Sequence, residues 1–118
     1  MQYIGLDVIM RKEPKPLLNV AAMFGHLPIV KLLIQAGADP LLCERERSMN
    51  ALHEASMKGR IDIVRYLLST GIEVDVNNAV GETSLHLAAK SNHVDVAECL
   101  IKQGADVKLR RTTDRKSV

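Results

Sequence analysis

The feature that most constrains this chain is self-similarity at a fixed period of 33 to 34 residues. Three segments align: 16–40 (PLLNVAAMFGHLPIVKLLIQAGADP), 50–75 (NALHEASMKGRIDIVRYLLSTGIEVD) and 83–108 (TSLHLAAKSNHVDVAECLIKQGADVK). Each passes from a small or polar start through Leu to an Ala-Ala or Ala-Ser pair, then a Gly or Asn, then a second apolar stripe that ends in Gly. The closing glycines, Gly37, Gly71 and Gly104, are 34 and 33 residues apart. A period of this length predicts an array of stacked units, none of which can bury its apolar face alone.

Local chemistry predicts two short antiparallel helices in each unit. Thr83 can cap the first helix of the third unit by accepting a bond from an orphan backbone N–H. Leu85, Ala88 and Ala89 then share one face at helical spacing. Gly25, Gly59 and Asn92 occupy the helix end, where a left-handed residue is needed. The second helix opens with Asp62 or Asp95, whose charge complements the exposed N–H groups, or with Pro28, which tolerates a first turn. Its apolar stripe is Ile29, Leu32 and Leu33, repeated as Ile63, Tyr66 and Leu67 and as Val96, Cys99 and Leu100. The pairs Ala21–Ala22, Ala55–Ser56 and Ala88–Ala89 thin the first helices so that neighbouring units approach closely. Thin and thick helices in alternation would stack as a curved slab with a concave side.

These units resemble ankyrin repeats, whose hallmark is Thr-Pro-Leu-His followed by apolar and Ala residues. The match is carried by Thr83-Ser84-Leu85-His86-Leu87-Ala88-Ala89, Asn50-Ala51-Leu52-His53-Glu54-Ala55-Ser56, and the helix ends Gly37-Ala38-Asp39 and Gly104-Ala105-Asp106. With Gly25-His26 and Asn92-His93 it covers roughly residues 16 to 108. The resemblance implies an all-α solenoid of stacked helix–turn–helix repeats with finger-like linkers. The expected division of this single domain, 1–118, is a partial repeat at 1–15, repeats at 16–49, 50–82 and 83–108, and a partial linker at 109–118. Gly5-Leu6-Asp7-Val8 resembles the close of an earlier unit whose last helical turn would be Met1 to Ile4, so the chain reads as a piece of a longer array. Departures fall in the first unit, where Pro16 replaces the capping Thr and Asn19 replaces the His. The first linker has one extra residue and carries Ser48 where the next has Gly81, which predicts an irregular finger around Cys43 to Met49.

Bulk composition agrees with close helix packing. Hydrophobic residues make up 47%, yet there is one Phe, two Tyr and no Trp, so aliphatic side chains must fill the core. The formal charge of +2 is too small to imply a polyanionic partner. No apolar run is long enough to span a membrane, and Met1 to Lys15 does not read as a signal peptide. With two widely separated cysteines, this points to an intracellular setting, cytoplasmic and/or nuclear.

Catalytic, cofactor and metal sites are not expected. His26, His53, His86 and His93 are the candidate metal ligands, but zinc needs ligands that converge tetrahedrally. His53 and His86 are one period apart and fall in equivalent seats. In ankyrin repeats that His is structural and bonds to the neighbouring linker. Cys99 lies on an apolar stripe and reads as a small buried hydrophobe; Cys43 sits in a charged loop as an ordinary, oxidisable thiol with no base placed beside it. Gly25, Gly59 and Gly81 are isolated punctuation and form no phosphate loop. The basic tail Lys108 to Lys116 lacks the aromatics that stack on bases, which argues against a nucleic-acid partner.

The resemblance implies a non-catalytic protein-interaction module, a scaffold or adaptor segment, that binds another protein through the concave face of fingers and first helices. Placed residue by residue, that face holds Met23 and Phe24, Met57 and Lys58, and Lys90 and Ser91, each pair following an Ala pair. The fingers would add Lys12, Glu13 and Lys15, then Glu44, Glu46, Arg47 and Met49, then Asn77, Ala79, Val80 and Glu82. The alternative is a substrate-targeting arm of a larger enzyme such as a ubiquitin ligase or kinase. Uncapped ends would also offer a route to self-association.

Overall fold

A computed structural model describes residues 15–110. The expectations for Met1 to Val8, for Lys12 and Glu13, and for the tail beyond Arg110 lie outside the described residues. Within them the chain forms six helices and no strand: α1 Leu17–Met23, α2 Leu27–Gln35, α3 Ala51–Lys58, α4 Ile61–Ser69, α5 Ser84–Lys90 and α6 Val94–Lys102. Each odd-numbered helix packs against the even-numbered helix that follows it. The first helices α1, α3 and α5 form one layer, and α2, α4 and α6 form the other. This is an all-α repeat solenoid.

Local signals account for the ends of the elements. Asn50 and Thr83 cap α3 and α5 in reciprocal boxes: each side chain accepts the backbone N–H of the residue three on, and that residue's imidazole Nδ1 accepts the cap's own N–H. Two orphan donors are thereby satisfied at each helix start. Pro16 supplies no such bond to α1. Gly59 (φ 76°) and Asn92 (φ 62°) turn the chain between the helices of units two and three in the left-handed conformation, as the Gly/Asn equivalence predicts.

The core is aliphatic. Ala22, Val30, Leu52, Ala55, Ile63, Leu67, Ala88, Val96 and Leu100 are essentially inaccessible. Removing each large side chain from water contributes roughly 1.5–3 kcal/mol. The apolar stripes are buried unequally. Ile63 and Val96 are fully covered, whereas Ile29 in the same seat is 45% exposed and Leu32 60%. The reason is positional: α4 packs against both α2 and α6, while among the described residues no helix precedes α1 and α2. Cys99, expected in the core, is half-buried instead, because its seat, shared with Tyr66, lies at the rim of the stripe.

Candidate partner-binding surface

The face expected to be concave comprises the last turns of α1, α3 and α5 and the two linkers beside them. Phe24, Lys58 and Lys90 are exposed, and Met23, Met57 and Ser91 half-buried, so the residues after each Ala pair reach the surface. A repeated bond ties off the ends of α1 and α3. Arg60 Nε donates to the carbonyl of Met23 at 3.1 Å, and the His93 ring lies 3.1 Å from the carbonyl of Met57. Each residue opens the second helix of its own unit and ties off the end of the first helix one unit earlier.

The fingers are organised by two side chains 34 residues apart. In the first finger, 38–50, the Glu44 carboxylate accepts the backbone N–H groups of Arg47 and Met49, and Ser48 takes the left-handed φ of 55°. In the second, 72–83, Asn78 Oδ1 accepts those of Val80 and Glu82, and Gly81 takes the left-handed seat at φ 82°. The first finger is therefore a similar turn, one residue longer, with a carboxylate and a serine in place of an amide and a glycine. The Ala79 N–H donates to the Arg47 carbonyl at 2.9 Å, and this joins the two tips. Glu46, Arg47, Asn77, Ala79 and Val80 stay exposed there.

Three residues expected on this surface are buried. Glu44 is drawn into its own turn by the two N–H bonds. Met49 is fully covered: its carbonyl accepts the Asn19 amide at 2.7 Å and its sulfur the Asn78 amide at 3.3 Å. Glu82 lies beneath Lys90, whose ammonium bonds its carboxylate at 2.8 Å. Apolar or charged character placed them at a finger tip, but the turn's unpaired backbone and amide groups recruit them inward. Sequence reasoning missed the turn-forming Glu44 and Asn78; their 34-residue separation was the available signal.

Three of the histidines, His53, His86 and His93, are committed to structural hydrogen bonds. Because His53 Nδ1 accepts from Asn50, its proton sits on Nε2, which donates to the Val76 carbonyl at 2.8 Å. Both ring nitrogens are then occupied, and burial pushes the imidazole below its ordinary pKa. Asn19 does a related task in the first unit through its bond to Met49. The Cys43 thiol is pushed up, first by burial and then by Glu44 and Asp39, which reduces its thiolate content. Among the described residues no helix is long and apolar enough to cross a membrane.

Comparison with known proteins agrees with this architecture. A family model for ankyrin repeats in three copies matches residues 18–111. The chain is 38% identical over 91 residues to the ankyrin repeat and KH domain-containing protein mask-1 of Caenorhabditis elegans, covering 76% of this chain and 3% of that protein. It is 30% identical over 109 residues to the palmitoyltransferase Hip14 of Drosophila melanogaster, covering 92% of this chain and 15% of that protein. It is 28% identical over 82 residues to the E3 ubiquitin-protein ligase KEG of Arabidopsis thaliana, covering 70% and 5%. The chain thus spans a small fraction of the length of the curated relatives it matches. It belongs to the ankyrin repeat family, whose stacked units are non-catalytic protein–protein interaction modules.

Proposed function

We propose that this chain is a scaffold or adaptor segment that docks a partner protein on its concave side, with units at 16–49, 50–82 and 83–108 acting as one domain in an intracellular setting. The observation that supports this most is the row of exposed and half-buried side chains at the ends of α1, α3 and α5, the first two of which are tied off by the Arg60–Met23 and His93–Met57 bonds. A surface held in one geometry before binding loses little conformational entropy on docking. Phe24, 56% exposed, and Met57 give it apolar area. Glu46, Arg47, Asn77 and Val80 supply the finger contacts. Affinity capture followed by mass spectrometry identifies the partner. Phe24→Ala and Met57→Ala then weaken binding while helix content is unchanged; unaltered affinity for both would discard this surface.

A second reading is that these units form the substrate-targeting arm of a larger enzyme. It is favoured by relatives that are named as a palmitoyltransferase and a ubiquitin ligase and are many times longer than this chain. Capture of an enzyme's substrates by the isolated chain would support it. Self-association is a further reading, through the apolar residues Leu17, Val20, Ile29 and Leu32 exposed on one end of the described stack; sedimentation at rising concentration tests it.

A further inference from the structure

Around the concave row the two signs of charge are sorted by depth. Glu44, Glu54 and Glu82 are all buried, and each already has a partner: Glu44 the backbone N–H groups of its turn, Glu54 Lys15 at 2.9 Å, Glu82 Lys90 at 2.8 Å. The cations Arg45, Arg47, Lys58 and Lys90 remain exposed, and between residues 44 and 58 the one exposed carboxylate is Glu46. Lys58 forms no ion pair with any described residue. Lys90 gives one of its three N–H donors to Glu82 and keeps a side chain that is 58% exposed.

The row also has a direction. In equivalent seats the residues run Met23, Met57, Lys90 and Phe24, Lys58, Ser91, from apolar at the α1 end to cationic at the α5 end. Arg47, Val80 and Lys90, together with Glu46 and the Lys90-paired Glu82, line a cleft of about 240 Å³ between the joined finger tips and α5. Resting on the docking surface argued above, we infer that this surface takes an acidic segment of a partner protein, in one orientation. An apolar side chain seats against Phe24 and Met57, and carboxylates farther along meet Lys58, Arg47 and Lys90. Charge-assisted bonds of this kind fix register and raise the association rate more than they raise bulk affinity. A phosphodiester backbone is the poorer fit, because Phe24 is the only aromatic ring on the row on which a base could stack.

The test pans a random-peptide phage library against the full chain. Enriched peptides are expected to carry net negative charge, with an apolar residue on a constant side of the acids. Synthetic copies should lose at least about tenfold in affinity on Lys58→Glu and should weaken as salt rises. An oligothymidylate should bind more weakly than these peptides. A neutral or basic pool, no enrichment, or tighter binding of the oligothymidylate overturns the inference. Peptides that are not acidic but are lost on Phe24→Ala would sink the acidic preference and leave the docking surface standing. Peptides indifferent to both Phe24→Ala and Lys58→Glu would sink both. Circular dichroism of each variant separates lost contacts from lost folding, since both residues are exposed.

Discussion

His53 Nε2 lies 2.8 Å from the carbonyl oxygen of Val76, so the ring that caps α3 also ties down the second finger. The same imidazole accepts the Asn50 N–H on Nδ1, which requires it to be neutral. Burial lowers its pKa, outweighing the opposite pulls of the Val76 carbonyl and Glu82. Below the ordinary value of 6.5 the unfolded chain therefore binds more protons than the folded one. The stability this residue contributes is complete above pH 6.5 and is lost as pH falls from 6.5 toward the folded pKa, with a slope of at most ~1.4 kcal/mol per pH unit. Urea unfolding of the native chain between pH 7 and ~5 is expected to show this decline before the carboxylates titrate. His53→Gln should flatten it; an identical slope in the variant would refute the assignment.

Glu54 and Lys15 form a second long-range pair, with the carboxylate fully buried and one of its oxygens, Oε1, without a partner. Its seat holds Val20 in the first unit and Leu87 in the third, so the position itself accepts an aliphatic residue. Lys15→Met leaves an uncompensated carboxylate in the interior. The expected cost is about 2 kcal/mol, below the ~3–5 of a fully enclosed pair because Lys15 is partly in solvent. Glu54→Leu removes the need for the cation and is expected to be neutral or stabilising. Denaturant midpoints at unchanged slope measure both; a strongly destabilised Glu54→Leu would show that the ion pair itself holds the stack together.

What was legible in the sequence was whatever repeats. The helix pairs, the capping role of Thr83, the left-handed Asn92 and the closing glycines all follow from residues that recur every 33 to 34 positions, and local chemistry fixes them. The pairs at the ends of α1, α3 and α5, one member exposed and one half-buried in each, followed from the same register. The fingers were less legible. Glu44 and Glu82 read as surface charges by type, and Met49 as an exposed anchor. Their burial is decided by backbone N–H groups, amides and Lys90, which converge only once the turn has closed. The exposure of Ile29 is likewise invisible to a periodic pattern, which assigns every unit the same surroundings.

That inequality between units has a measurable consequence. Ile29 and Ile63 hold the same seat, 45% exposed in one and fully buried in the other. Ile63→Ala leaves a cavity beneath two neighbouring units and is expected to cost about 3 kcal/mol. Ile29→Ala removes a side chain already half in water and should cost about 1 kcal/mol. Chemical unfolding of the two variants side by side gives the comparison. Equal costs would mean that Ile29 is covered as completely as its counterpart.

The hairpin turn of the second unit sets a sharper steric limit than the glycines that end the second helices. A methyl group on Gly59 would meet Cε1 and Nδ1 of His93 at 2.7 Å, in a residue that also holds φ at +76°. The ring has little room to retreat, because its other nitrogen is bonded to the Met57 carbonyl that defines the end of α3. Gly37 is equally left-handed, at φ +104°, but an added Cβ there meets nothing within 4 Å. Gly37→Ala is therefore expected to cost only the backbone strain, about 1 kcal/mol. Gly59→Ala adds a displaced ring and a lost inter-unit hydrogen bond, for a total of about 2–3 kcal/mol. Pairing Gly59→Ala with His93→Ala in a double-mutant cycle isolates the steric part. If the ring is the obstacle, the double variant recovers stability relative to the sum of the single costs. Strict additivity would place the whole cost in the backbone.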